Sequence, residues 1–246
     1  MRMAINQPAY LPWIGYFDLI DQVDLFVVLD NVQFEKQSWQ QRNRIKTPNG
    51  LQWLTVPVKF RGRLGQLIKD VEIRDSEFVV NHLRGIELAY RRSPYFHRYF
   101  PPLKRRFHGM SGGLLVDLNL TLLYWLMECL GIRTPMVKAS TLEQSGKRTE
   151  LLGNICAVAG AKQYISPLGS AAYLLPEQGI LQSRGVEVLF QNYEHPVYRQ
   201  MFPPFEPFAS VIDLLFNEGD AALEILRSGR RECLSGQELS ALPQAV

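Results

Sequence analysis

No apolar run in this 246-residue chain approaches the roughly 18 residues that a membrane-spanning helix needs. The opening stretch MRMAINQPAY has no signal-peptide apolar core. Both absences point to a cytoplasmic location. Cysteine is scarce: Cys129, Cys156 and Cys233 are odd in number and far apart, which excludes a disulfide framework and a Cys-x-x-Cys metal knuckle. Cys129 and Cys156 lie in apolar surroundings and read as small buried hydrophobes. Of the four histidines, no two have the His-x-x-x-His spacing of a metal motif, so no metal is expected. No Ser/His/Asp triad can be argued from spacing, and there is no internal repeat or low-complexity segment.

What is present is the material of a globular domain. The hydrophobic fraction of 46% and charged fraction of 21% are ordinary for such a chain, and its length can bury a core without disulfides or metals. The net charge of +3 conceals an asymmetry. Residues 36–106 carry 16 Lys and Arg against 5 Asp and Glu, while the rest of the chain carries 11 against 19. A basic stretch of +11 favours an anionic partner: a phosphorylated small molecule, an acidic carrier protein or nucleic acid. Nucleic acid is the weakest of these, because the cations are mixed with prolines and aromatics and form no known module.

Met3-Ala4-Ile5 reads as a short buried strand, Gln7 to Trp13 as a turn, Ile14 to Ile20 as a helix and Asp24 to Asp30 as a central strand. Strand, loop, helix, strand is a βαβ unit, which predicts an α/β fold: a Rossmann-like, mostly parallel sheet flanked by helices. Thr47-Pro48-Asn49-Gly50 is a turn signal, followed by a strand from Trp53 to Val58 and another over Ile68 to Ile73. Helices follow over 77–89, 114–129 (with Ser111 as its cap), 148–159, 174–184 and 210–217. Pro94 breaks the first of them ahead of a short element at 99–103. Further strands are read at 136–139, 163–166 and 186–191. Periodicity fades after Ser228, so residues 1–228 are expected to form one α/β domain and 229–246 a poorly ordered tail.

Several residues carry chemistry. Ligands of open α/β sheets bind outside the carboxyl ends of the strands. Gln7, Tyr10 and Trp13, just past the first strand, offer an amide, a phenol and an indole to a sugar or base ring. Gly15 permits close approach, and Tyr16 follows it. Asp30 and Gln33 end the second strand, where Asp30 is placed to act as general base. Trp39, Arg42, Asn43, Arg44 and Lys46 form the strongest anion-binding cluster; on a helix, Arg42 and Lys46 share one face. His82 and His195 are the candidates for proton transfer. Ser166, at a later strand end, is placed to meet a phosphate or sugar.

The blocks Gln7-Pro8-x-Tyr10-Leu11-Pro12-Trp13-x-Gly15-Tyr16-Phe17, Asp24-x-Phe26-Val27-x-Leu29-Asp30-x-Val32-Gln33-Phe34 and Trp39-x-x-Arg42-Asn43-Arg44-Ile45-Lys46 resemble the WbqC-like family. Gly50 and Trp53-Leu54-Thr55-Val56-Pro57 continue the likeness. It extends through His195-Pro196-x-Tyr198-x-Gln200 to Leu214-Leu215-Phe216-Asn217-x-Gly219. One departure is Ser166-Pro167, where the family often has Ser-Gly. The resemblance implies a bacterial enzyme of surface-polysaccharide or related biosynthesis. Its implied activity is attachment of an amino-acid or acyl group to the amine of an amino-sugar, presented as a sugar nucleotide. The implied co-substrates are ATP or a phosphopantetheine-linked acyl donor, the latter carried by an acyl or peptidyl carrier protein. A non-catalytic scaffold for an anionic ligand is the alternative. The opening layout also resembles nucleotidyltransferase-type Rossmann folds, but Gly15-Tyr16 stands where those have Gly-His, which argues against nucleotidyl transfer.

Overall fold

The structure is a computed structural model that describes residues 1–109, 113–142 and 144–241. Its frame is a six-stranded sheet. The chain opens with β1 (Arg2–Asn6), α1 (Ile14–Asp21) and β2 (Leu25–Val28), the expected βαβ unit. It then leaves the sheet to form an antiparallel hairpin, β3 (Arg42–Thr47) and β4 (Gly50–Thr55), turning at Pro48-Asn49. Three helices follow, α2 (Glu77–Tyr90), α3 (Phe96–His108) and α4 (Leu115–Leu130), before the chain re-enters the sheet as β5 (Met136–Lys138). The second half runs α5 (Arg148–Ala159), β6 (Gln163–Ser166), α6 (Ala171–Glu177), α7 (Gly179–Gln182), β7 (Glu187–Phe190), α8 (Val211–Glu218), α9 (Ala222–Ser228), β8 (Leu234–Ser235) and α10 (Gly236–Ala241).

The sheet order is β5-β2-β1-β6-β7-β8, parallel throughout except for the antiparallel edge strand β8. Counting only the parallel strands in chain order, this is third, second, first, fourth, fifth. The direction of winding therefore reverses between β1 and β6, and open sheets place their ligand crevice at that reversal. Alternation along the strands splits the core in two. Met3, Ile5, Val27, Tyr164, Val188 and Phe190 face the layer that holds α5 and α7. Ala4, Phe26, Val28, Ile165 and Leu189 face the larger layer with α1, α2, α3, α4 and α8.

Several expectations need correction. Residues 42–46 form a strand, not a helix, since Arg42 pairs with Thr55 and Lys46 with Leu51 across the hairpin. The two side chains still share a face, because strand side chains repeat every second residue. No strand forms over Ile68 to Ile73. Ile68, Val71 and Ile73 are all buried, and the first two would point to opposite faces of a strand; a 3-10 turn over Ile68–Asp70 brings both inward. The helix from Phe96 runs through Pro101 and Pro102 as far as His108. It is held by an apolar face of Phe96, Tyr99, Phe100, Leu103 and Phe107 despite the backbone bonds that the prolines forfeit. The expected helix over 174–184 is two short ones, α6 and α7. Ser111, the expected cap of α4, lies outside the described residues.

The largest correction concerns the C-terminal segment. As far as Ala241 it is built into the fold, with β8 on the sheet edge and α10 behind it. Its fastening is ionic. Arg230 bonds Asp18 at 2.7 Å and also reaches Asp21, while Arg227 makes two bonds of 2.8 Å to Asp21. Asp18 is fully buried, and Gln191 donates to its other oxygen at 2.8 Å. Burial raises the Asp18 carboxyl, and the bonds from Gln191 and Arg230 oppose that rise. An isolated buried carboxylate is costly, so Arg230 is held as its counter-charge. Charged and polar side chains far apart in sequence make this fastening, which no apolar periodicity announces. Replacing Arg230 with Ala is expected to cost about 3 kcal/mol in urea unfolding, because Asp18 is left without its cation, and to unprotect the β8 amides in hydrogen exchange.

Candidate functional site

Past the carboxyl end of β1 the chain turns sharply, and a cavity of about 500 Å³ opens there. Asn6, Gln7, Pro8, Ala9, Pro12 and Trp13 form its floor and Tyr16 of α1 one side. The opposite wall is Glu35, Ser38, Trp39, Gln40, Asn43 and Arg44, and Phe208 closes the rim.

Trp13 covers the first turn of α1. Any side chain at Gly15 would collide with it, since a Cβ there falls 2.1–2.6 Å from atoms of the Trp13 ring. The Trp-x-Gly spacing is thus a packing requirement. The other contacts of the indole come from far along the chain: Phe208 and Tyr193 edge-on, with centroids at 5.2 and 5.7 Å, and His195 nearly parallel at 6.0 Å. Gln7 bonds to Gln40 side chain to side chain at 2.8 Å, and its carbonyl accepts from the Tyr16 hydroxyl at 2.9 Å. The wall is joined to the floor through Tyr10, whose amide donates to the Trp39 carbonyl at 2.9 Å.

Backbone strain gathers here. Among the described residues, four non-glycine positions have left-handed backbone, and three of them, Leu11, Gln37 and Phe208, lie on segments that form the cavity. Each costs about 1 kcal/mol and persists only where its surroundings enforce it, a pattern common at ligand sites.

The electrostatics are simple. Among the described residues, Glu35 is the one carboxylate and Arg44 the one cation on the lining. Neither has an ion-pair partner among the described residues, and the Arg44 Nε is buried without a hydrogen bond. The Arg44 guanidinium instead lies beside two indoles, 5.6 Å from the Trp39 ring and 5.4 Å from the Trp53 ring.

Of the sequence-predicted residues, Gln7, Trp13, Tyr16, Trp39, Asn43 and Arg44 meet at the cavity. The others do not line it. Gly15 lies beneath Trp13, and His195 stacks on that ring with its Nε2 buried and unpartnered. Gln33 is exposed and bridges to Leu67. Arg42 stands on the outer face of the hairpin, over Trp53 at 4.3 Å. Ser166 is buried at the end of β6, bonded to the next carbonyl. Lys46 is 2% exposed and faces Glu206 at 3.9 Å. Asp30 is buried as well. One of its oxygens accepts from the Ser140 amide at 2.8 Å and the other from the Ser140 hydroxyl at 2.7 Å, so it ties the end of β2 to the turn after β5. His82 sits on α2, where the Tyr10 hydroxyl bonds its Nδ1 at 2.8 Å.

The family model of the WbqC-like protein family matches residues 7–225. The chain belongs to that family. The uncharacterized protein Rv1507c of Mycobacterium tuberculosis is 36% identical over 231 residues, which cover 94% of this chain and 99% of that one. No solved structure matches the chain. Among the described residues of this WbqC-like protein, no helix is long and apolar enough to cross a membrane.

Among the lining residues that sequence reasoning missed are Asn6, Glu35, Ser38, Gln40 and Phe208. Glu35 directly follows the motif block that ends at Phe34, and Gln40 lies within the block that begins at Trp39, so their neighbours were the signal. Phe208 had none, since it lies 164 positions from Arg44 and no motif links them.

The late family motif of this WbqC-like protein has a structural task. Asp213, in the first turn of α8, is buried and accepts from the Tyr198 hydroxyl at 2.8 Å and from Gln200 at 3.0 Å. Burial lifts its carboxyl to about 6, against those bonds and the Lys46 charge. His82 shifts the other way. Burial lowers it to about 4, so it is neutral in the fold at pH 7, held between Tyr10 and the Thr55 carbonyl. The unfolded chain protonates His82 near 6.5 and the fold only near 4, so its contribution is full above 6.5 and is lost as pH falls through 4. Asp213 contributes with the opposite sign: its stabilisation is full below 3.8 and is lost as pH rises through 6. The two offset each other between 4 and 6, so a variant must separate them. The stability difference between the native protein and His82→Gln is expected to shrink by about 3 kcal/mol from pH 7.5 to pH 4, measured by urea unfolding.

Proposed function

We propose that this cavity is the acceptor site of a transferase that attaches an acyl or aminoacyl group to the amine of an amino-sugar. The observation that carries the reading is the composition of the lining. Indole and phenol faces suit a pyranose ring, the side-chain nitrogens of Asn6 and Gln7 are left over from the internal bonds of the lining and suit its hydroxyls, and among the described residues the lining holds one unpaired carboxylate and one unpaired guanidinium. Family membership supports the same reading. Glu35 takes the proton that the attacking amine sheds as its nitrogen forms the amide bond. The donor's acyl carbon parts from a thioester sulfur or an acyl-phosphate oxygen, which leaves with the electron pair. Arg44 holds the anionic group that the sugar carries. This base role moves from Asp30 and His82 to Glu35, since both of the former are buried and already bonded.

That loss of two candidate bases also favours a second reading, a binding module that presents an anionic sugar without reacting it. Turnover decides between them. The protein, a nucleotide-linked amino-sugar and an activated acyl donor are expected to yield an amide, seen as the added acyl mass. The donor is an acyl-CoA, an acyl carrier protein thioester, or ATP with an amino acid. Glu35→Gln is expected to lower the rate about 100-fold with sugar binding retained. No product from any of the three donors, with the sugar still bound, would leave the binding module.

A further inference from the structure

The outer face of the β3–β4 hairpin carries side chains that the cavity does not account for. Arg44 and Trp53 are direct cross-strand partners and therefore stand on the same face, with Arg42 two positions along. The Trp53 and Trp39 rings lie 5.4 Å apart at a 36° tilt, and Arg42 stands 4.3 Å over Trp53. These are large rings left in water: Trp39 is 50% and Trp53 42% exposed. Neither arginine has a carboxylate partner among the described residues. On the same face, Lys46 is covered by the segment that carries Glu206, so the open part of the ribbon is Arg42, Arg44, Trp53 and Trp39. Arg44 and Trp39 also line the cavity, which makes cavity and ladder one continuous surface.

We infer that this ladder is a nucleoside-diphosphate subsite: the Trp39–Trp53 pair stacks the base, and Arg42 and Arg44 hold the diphosphate. The inference rests on the amino-sugar reading and deepens it, because it makes the acceptor a nucleotide-linked sugar bound by its nucleotide outside the cavity and by its sugar inside. Exposed indole faces stack a flat base without needing to read its edge, and guanidinium forks match phosphate oxygens two at a time. An arginine over an indole is attracted to the ring face without using its N–H donors, which stay free for an anion. The direction follows from Arg44, which sits at the junction. The phosphate nearer the sugar lies there, and the amine points into the cavity toward Glu35.

The test uses uridine diphosphate and adenosine diphosphate without any sugar, titrated into the whole protein by calorimetry and by quenching of tryptophan fluorescence. Both are expected to bind, and inorganic pyrophosphate more weakly. Trp53→Ala is expected to lose about tenfold in affinity, while Trp53→Phe, which keeps a stacking ring, loses less. Arg42→Gln is expected to weaken the diphosphates and leave free glucosamine binding unchanged. Failure of both diphosphates to bind would overturn the subsite, and so would an unchanged affinity in a folded Trp53→Ala protein. A single-stranded oligonucleotide that bound more tightly than either diphosphate would overturn it as well, by making the ladder a strand platform. Amide formation without diphosphate binding would remove the subsite and leave the transferase. Tryptophan-dependent diphosphate binding without amide formation would do the reverse.

Discussion

The Asn43 side-chain amide is the bond on which the site depends. It is buried, and its nitrogen donates to the carbonyls of Leu11 at 2.8 Å and Tyr10 at 3.2 Å, while its oxygen accepts from the Arg44 amide at 2.8 Å. Two neighbouring bonds extend the clamp: the Ser210 amide donates to the Arg44 carbonyl and the Val211 amide to the Pro12 carbonyl, each at 2.8 Å. Three segments far apart in the chain are locked together in this way. The turn after β1 supplies Trp13, the hairpin supplies Arg44, and the approach to α8 supplies Phe208. Leu11 holds a left-handed backbone within the clamp, where the paired carbonyls offset its strain. Asparagine suits the position because it both donates and accepts without charge, and a buried carboxylate there could not donate.

The charge arrangement follows from what each element covers. The basic segment divides into cations spent on structure and cations left free. Lys46 faces Glu206 and its charge opposes the rise that burial gives the Asp213 carboxyl, and the exposed Lys59 and Arg63 share Glu72, whose carboxyl their bonds bring down to about 2. Arg42 and Arg44 keep their charges beside indoles instead of carboxylates. A cation placed against an aromatic face has lost some water yet gained no neutralising partner. An anion arriving there meets a field that no internal carboxylate has cancelled.

The βαβ opening, the parallel sheet and the Pro48-Asn49 hairpin turn were legible in the sequence because each rests on local signals: apolar runs, breakers and turn chemistry. Part of the cavity lining was legible for the same reason, since Gln7, Trp13 and Tyr16 sit in one short block next to a strand end. The roles of charged residues were not legible. Asp30 and His82 looked reactive by position, and their fates depend on Ser140 and Tyr10, 110 and 72 residues away. Lys46 read as part of an anion clamp, but the segment that buries it arrives 160 positions later. The order of the C-terminal segment was hidden likewise, because the Arg230–Asp18 pair spans 212 positions and leaves no periodic trace.

The two charges of the cavity bear on what fills it. Glu35 and Arg44 share one lining and do not pair with each other or with any other described residue. The turn that carries Glu35 is bonded within itself: Ser38 donates to the Glu35 carbonyl and the Gln40 side chain accepts the Glu35 amide. The Gln40 amide in turn grips Gln7, which fixes that turn to the floor. Arg44 is fixed separately, by Asn43 on one side and Ser210 on the other. Backbone bonds thus fix both of the segments that bring these two opposite charges to a lining with aromatic faces. A ligand that is only anionic would satisfy Arg44 and be repelled by Glu35, and a ligand that is only cationic would do the reverse. A molecule carrying an amine at one end and a phosphate at the other satisfies both, and a ring between them fills the apolar middle. An amino-sugar joined to a phosphate has that distribution, which supports the proposed substrate over a plain sugar, a plain nucleotide or an amino acid alone.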